Sequence, residues 1–79
     1  MEVSGYQFFF FSNEGNPLEL CHIHVRKAGN LAKLWVGIEV SVADNIDFSS
    51  SDLKEIKEIT LKNKEHIRRA WDEFFKGER

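Results

Sequence analysis

A single cysteine, Cys21, stands in the whole sequence, which excludes an internal disulfide. That fits a chain kept in a reducing compartment with its thiol buried or half-buried. A nucleophilic Cys21 would need a helper base, and the adjacent His22 projects from the opposite side of an extended strand. Proline is scarce too, with Pro17 the only one. Apolar runs are short: the four phenylalanines at 8–11 fall far below the roughly 18 residues of a membrane span. No basic stretch precedes an apolar segment at the N-terminus, so no secretory signal is expected and a cytoplasmic location follows by elimination. Nor does one charge dominate. Eleven Lys and Arg against 13 Asp and Glu give a formal net charge of −2, too little for bulk electrostatic capture of nucleic acid.

Seventy-nine residues make one domain, here residues 1–79, and a chain this short buries only about 60% of its unfolded surface. Its core is marginal unless a disulfide, a metal or a partner helps. Charge divides the chain in two. Residues 1–48 carry six acids and three bases, and the bases, Arg26, Lys27 and Lys33, flank one predicted hairpin. Residues 49–79 carry eight bases and seven acids, interleaved as on a solvated helix.

The first half reads as strands. Residues 5–12 are rich in aromatics, with Tyr6, Phe8 and Phe10 on one face and Phe9 and Phe11 on the other, so both faces expect cover. Residues 13–17 are a turn by composition. In residues 20–27, alternation puts Cys21, Ile23 and Val25 on one face and His22, His24 and Arg26 on the other. Gly29-Asn30 suits a two-residue hairpin loop. That loop pairs Val25 with Leu34, Ile23 with Val36, His24 with Trp35 and Arg26 with Lys33. It gathers aliphatic side chains on one face and polar and aromatic ones on the other, whereas a three-residue loop would scramble both. Ile38, Val40 and Val42 alternate with Glu39 and Ser41 as a fourth strand.

After Asp44-Asn45 the period changes. Ser49 followed by Asp52 has the spacing of a helix N-cap with an acid in the first turn. Apolar positions then recur at helical spacing through Ile56, Ile59, Ile67, Trp71, Phe74 and Phe75, with Gly77 as the stop. The fold class expected is therefore α+β: an antiparallel meander of three to four strands within residues 5–43, then one long helix over 49–76 packed on one sheet face. Weak helical pattern around Thr60 to Lys64, with Asn63 on the core stripe, leaves a kink or a two-helix hairpin open.

His22-x-His24 is the sharpest chemical feature. Histidines two apart on a strand share a face, with Cβ atoms roughly 7 Å apart, near enough to converge on one ion or one phosphate. As zinc ligands they need a third side chain, for which the sequence offers His66, Glu39 or Asp44, and no fixed-spacing metal motif completes such a set. As general acid and base they would serve phosphodiester cleavage, Arg26 and Lys33 binding the phosphate and Trp35 supplying a surface aromatic. That chemistry needs no metal, and no cofactor is expected. The remaining reading is structural: the imidazoles stabilise the sheet face or touch a protein partner. Like charges at Arg26 and Lys33, directly opposed, make best sense with an anion between them. Lys62, Lys64, Arg68 and Arg69 form a second basic cluster that Glu58, Glu65, Asp72 and Glu73 answer at helical spacing, as on a solvated face. Seven Phe, two Trp and one Tyr exceed what one helix can hide, so the uncovered sheet face calls for a second copy or a partner protein.

The run His22-Ile23-His24-Val25-Arg26 with Gly29, then Ala32-Lys33 and Trp35, Phe48-Ser49, Leu53-x-x-Ile56, and finally Asn63, Trp71 and Phe74-Phe75, resembles a bacterial family known as domain of unknown function 4160. The resemblance spans Gly5 to Phe75. The family pattern has prolines just before His-x-His, where this chain has Leu20-Cys21. Members look like single small domains, often encoded beside a small protein of the type called domain of unknown function 2442, an arrangement similar to a toxin–antitoxin pair. The resemblance thus implies a protein partner and an RNA-directed activity, with His22 and His24 as its defining motif.

Overall fold

Alternation and two left-handed turns build the β half. The computed structural model describes residues 1–11 and 20–75. Along it run β1 (Glu2–Val3), β2 (Tyr6–Phe9), β3 (His22–Lys27), β4 (Asn30–Val36), β5 (Val40–Ile46), α1 (Ser50–Lys62) and α2 (Lys64–Phe75). The strands form one antiparallel sheet in the order β1-β2-β3-β4-β5. An α+β architecture with helices after an antiparallel meander is what the sequence pattern predicts. Its details differ. There are five strands where three to four were expected, and the sheet covers 2–46 rather than 5–43.

The extra strand, β1, is two residues long and so has no alternation to read. It is held by a hairpin whose loop, Ser4-Gly5, has φ of 53° and 82°, and by mutual backbone bonds between Met1 and Phe8. The same turn geometry recurs at Ala28-Gly29, with φ of 52° and 84°. This corrects the expected Gly29-Asn30 loop. The true register pairs His22 with Trp35, Ile23 with Leu34, His24 with Lys33, Val25 with Ala32 and Arg26 with Leu31. Each residue meets a partner two positions from the one expected. A two-residue slip preserves the faces, which is why face patterning could not detect it. The end of the first predicted strand at Ser12, the turn at 13–17, the helix end at Lys76 and the stop at Gly77 lie outside the described residues.

The last strand also starts later than its pattern suggests. Ile38 is 95% exposed and lies before β5, which runs on to Ile46. A bulge opposite Lys33/Leu34 absorbs Ala43, so Val42 faces inward while Asp44 and Ile46 face outward. Asn45 then clamps the exit: its side chain donates to the Phe48 carbonyl at 3.0 Å and accepts from the Phe48 N–H at 3.1 Å. Ser49 caps α1, its hydroxyl accepting from the Asp52 N–H at 3.1 Å, as its spacing predicts.

Two helices replace the single long one. Thr60 returns its hydroxyl to the Ile56 carbonyl, and Asn63 gives both its N–H and its side-chain amide to Ile59, closing α1 before α2 begins. Tyr6, Phe8, Ile23, Val25, Leu34 and Val36 of the sheet's inner face pack with Phe48, Ile56 and Ile67 as the core. Tyr6 is buried, and its hydroxyl donates to Glu55 at 2.8 Å and Asp52 at 3.3 Å, tying sheet to α1. Burial first, then those carboxylates, pushes the phenol well above its usual value. The second basic cluster is only partly a solvated face. Arg69 pairs with Glu65 at 3.7 Å, but Lys64 donates to the Ile38 carbonyl at 2.6 Å and Arg68 to that of Val36 at 2.7 Å, docking α2 on the end of the sheet. No described helix is long and apolar enough to cross a membrane.

Candidate functional site

The sheet face turned away from the core is a grid set by strand register. One row holds His22, Trp35 and Ser41. The next holds Phe9, His24, Lys33 and Asp44, and the third Gln7, Arg26, Leu31 and Ile46. Alternation along β3 thus places His22, His24 and Arg26 together on one face, with Lys33 and Trp35 beside them. The tertiary packing then treats these residues very differently.

His22 is completely buried. Its Nδ1 lies 2.9 Å from the Leu20 carbonyl, and because a carbonyl only accepts, Nδ1 is the donor in that contact. Around that ring stand Trp71 at 4.9 Å, His24 at 5.3 Å and Trp35 at 5.5 Å between centroids. Trp71 belongs to α2, which passes the end of the sheet and carries its indole round to the outer face. Phe10 closes the same junction, 5.5 Å from Trp71 and 6.0 Å from Phe75. His24 is 7% exposed, stacked on Phe9 at 5.7 Å and against Phe11 at 4.4 Å. Beside it lies a cleft of about 90 Å³ lined by Phe11, Leu31, Lys33, Asp44 and Ile46. That is well under the roughly 300–1,000 Å³ of a small-molecule site.

The two cations sit on rings. Arg26 lies 5.1 Å from the Phe9 centroid with Nε donating to Gln7 at 2.8 Å, and Lys33 lies 4.6 Å over Trp35. Arg26 does not face Lys33. The opposed like charges expected from the sequence do not form, because Lys33 stands between His24 and Asp44 in its row. His66 is exposed on α2, and among the described residues no three His, Cys, Asp or Glu side chains gather as a metal site. Cys21 is half-buried just before β3, and burial pushes its thiol up to about 11, with Asp72 adding to and Arg68 opposing the shift.

What remains accessible is a rim. Phe11 is 44% and Ile46 50% exposed, with Arg26 and Asp44 also open to solvent. The sequence offered Asp44 only as a candidate third ligand for the histidines and missed Ile46 and the strand position that puts both on this face, because the bulge at Ala43 reverses the phase that Val40 and Val42 establish. It also missed Trp71 as the cover of His22, since a tryptophan on a helical core stripe gives no sign of which side of the sheet it reaches.

The model of one family, described as Domain of unknown function (DUF4160), matches residues 5–72 of the 79. No curated protein and no solved structure matches the chain significantly.

Proposed function

Because the chain belongs to that family, whose description assigns no activity, we propose from the geometry of the outer sheet face that the protein is a non-catalytic binding module for another protein. One observation carries this reading. The two histidines that would do chemistry are 0% and 7% exposed, whereas an aromatic, an aliphatic and an arginine around them remain open. Aromatic and arginine anchors set among apolar side chains are the composition of an interface centre. The imidazoles serve as the stiff floor of that surface: His22 joins Trp35 to Trp71, and His24 props Phe9 and Phe11. The partner is the small protein encoded beside members of this family, in an arrangement like a toxin–antitoxin pair.

Titration calorimetry against that neighbouring protein tests the proposal. Phe11→Asp and Ile46→Asp, both at exposed positions, are expected to weaken binding at least about tenfold, or about 1.4 kcal/mol, while leaving the circular dichroism spectrum unchanged. Full affinity in both variants would reject the outer face as the docking surface.

A second reading is action on RNA, with His22 and His24 as acid and base and Arg26 and Lys33 on the phosphate. The two ring-seated cations on this face favour it. It requires α2 to lift Trp71 from His22, since no phosphate reaches an enclosed ring. It also leaves little ring surface for bases to stack on, because Phe9 already meets His24 and Arg26, and Trp35 meets Lys33. RNA cleavage abolished by His24→Ala, with the fold intact, would replace the first reading by this one.

A further inference from the structure

A second surface lies on the opposite side of the sheet, at its β5 edge. A groove of about 710 Å³ runs between the start of β5 and α1, floored by Ile38, Val40, Leu53 and Leu61. Ile38 is 95% and Leu61 58% exposed, so aliphatic surface meets water there with nothing of the described chain over it. The groove adjoins an open strand edge. β5 is the last strand of the sheet and seven residues long, while the other edge, β1, has only two.

Proteins blunt such edges against association, and β5 is blunted over only half its length. At its C-terminal half the Ala43 bulge breaks the ladder, and the Asp44 carboxylate takes the Asn45 N–H at 2.9 Å. The first half, Val40 to Val42, has no proline, lysine or bulge, and it is this half that borders the groove.

The charges on the groove identify what fits. Glu39 before β5 and Lys54, Lys57 and Glu58 on α1 line the groove, two acids and two bases. A uniformly acidic or basic segment would gain against one pair and lose against the other. A second copy of the same surface brings both signs in equal number, so a two-fold arrangement can set acids of one copy against bases of the other. We infer that this edge is a self-association site: β5 pairs antiparallel with β5 of a second copy about Ser41. That pairing sets Val40 against Val42 of the copy on the inner face. It carries both α1 helices to the same side of a continuous sheet, where Leu53, Leu61 and Ile38 are covered. The site is independent of the outer face proposed above.

Light scattering over a concentration series, combined with charge reversal, tests this. The wild-type chain is expected to shift from one to two copies as concentration rises. Ile38→Ser/Leu61→Ser, at exposed positions, is expected to weaken the dimer at least about tenfold with unchanged circular dichroism. Lys54→Glu/Lys57→Glu and Glu39→Lys/Glu58→Lys are each expected to be monomeric alone and to form a mixed dimer when combined, which only a self-complementary groove does. A wild-type chain that stays monomeric at millimolar concentration overturns the inference. So does a dimer that ignores these substitutions but yields to Phe11→Asp.

Discussion

At the residue scale, position within the sheet decides what each polar group does. His22 and His24 sit two residues apart on one face, yet one is sealed and the other nearly so, because rings arrive from β2, β4 and α2 to cover them. Cys21 and Tyr6 show the same control through their proton affinities. Both are held in their neutral forms chiefly by burial: the thiol moves from 9.0 to about 11 and the phenol rises above 10.0. A raised folded-state value means that the folded protein holds its proton more tightly than the unfolded chain. The associated stability is therefore complete below the unfolded value and is lost as pH climbs through the folded one. The urea midpoint is expected to stay flat up to about pH 9.0 and to fall between there and about pH 11, with Tyr6 prolonging the fall. In Cys21→Ala the first part of the decline should vanish, and a midpoint indifferent to alkali in the parent would refute the assignment.

At the element scale, two tight turns set the meander and its register. Ala28 and Gly29 both occupy left-handed backbone, which suits glycine and burdens alanine by about 1–2 kcal/mol. A Cβ built on Gly29 meets nothing within 4 Å, so any cost of Gly29→Ala is backbone conformation alone. That variant is expected to lose about 1 kcal/mol, whereas Ala28→Asn, which tolerates the left-handed region, should gain roughly 0.5–1 kcal/mol. Chemical denaturation of both checks this, and equal stability of the three proteins would mean that the loop lies elsewhere. The turn also explains the register. Face patterning demanded an even-numbered shift and accepted either of two loops, while left-handed backbone at Ala28 and Gly29 selected one. The break between α1 and α2 was legible only as a weakness. Thr60 and Asn63 mark it in the sequence, and their bonds to Ile56 and Ile59 decide it.

For the whole molecule, the junction between sheet end and α2 joins the β and α halves. Arg68 and Lys64 anchor it to carbonyls, while Trp71 bridges Phe10, Phe75 and His22. His22→Ala and Trp71→Ala are each expected to cost about 3 kcal/mol, a large part of the roughly 5–15 kcal/mol that stabilises a domain. Since the rings touch, the double variant should cost about 0.5–1.5 kcal/mol less than the sum of the singles. Strict additivity in urea unfolding would show that the two rings contribute separately, and the outer face would then lose its stiff floor.

The sequence alone determined the class of fold, the faces on which the residues of β2, β3 and β4 lie, the N-cap of the helical half and the family. Each of these follows from local period, spacing or composition. Tertiary structure decided the rest. Whether an imidazole on the outer face meets water or an indole depends on where α2 crosses the sheet end. Whether Asp44 and Ile46 join that face depends on one bulged residue. Whether a groove opens beside β5 depends on how far α1 sits from the edge. None of these leaves a periodic mark, because each is fixed by the packing of segments distant in the chain.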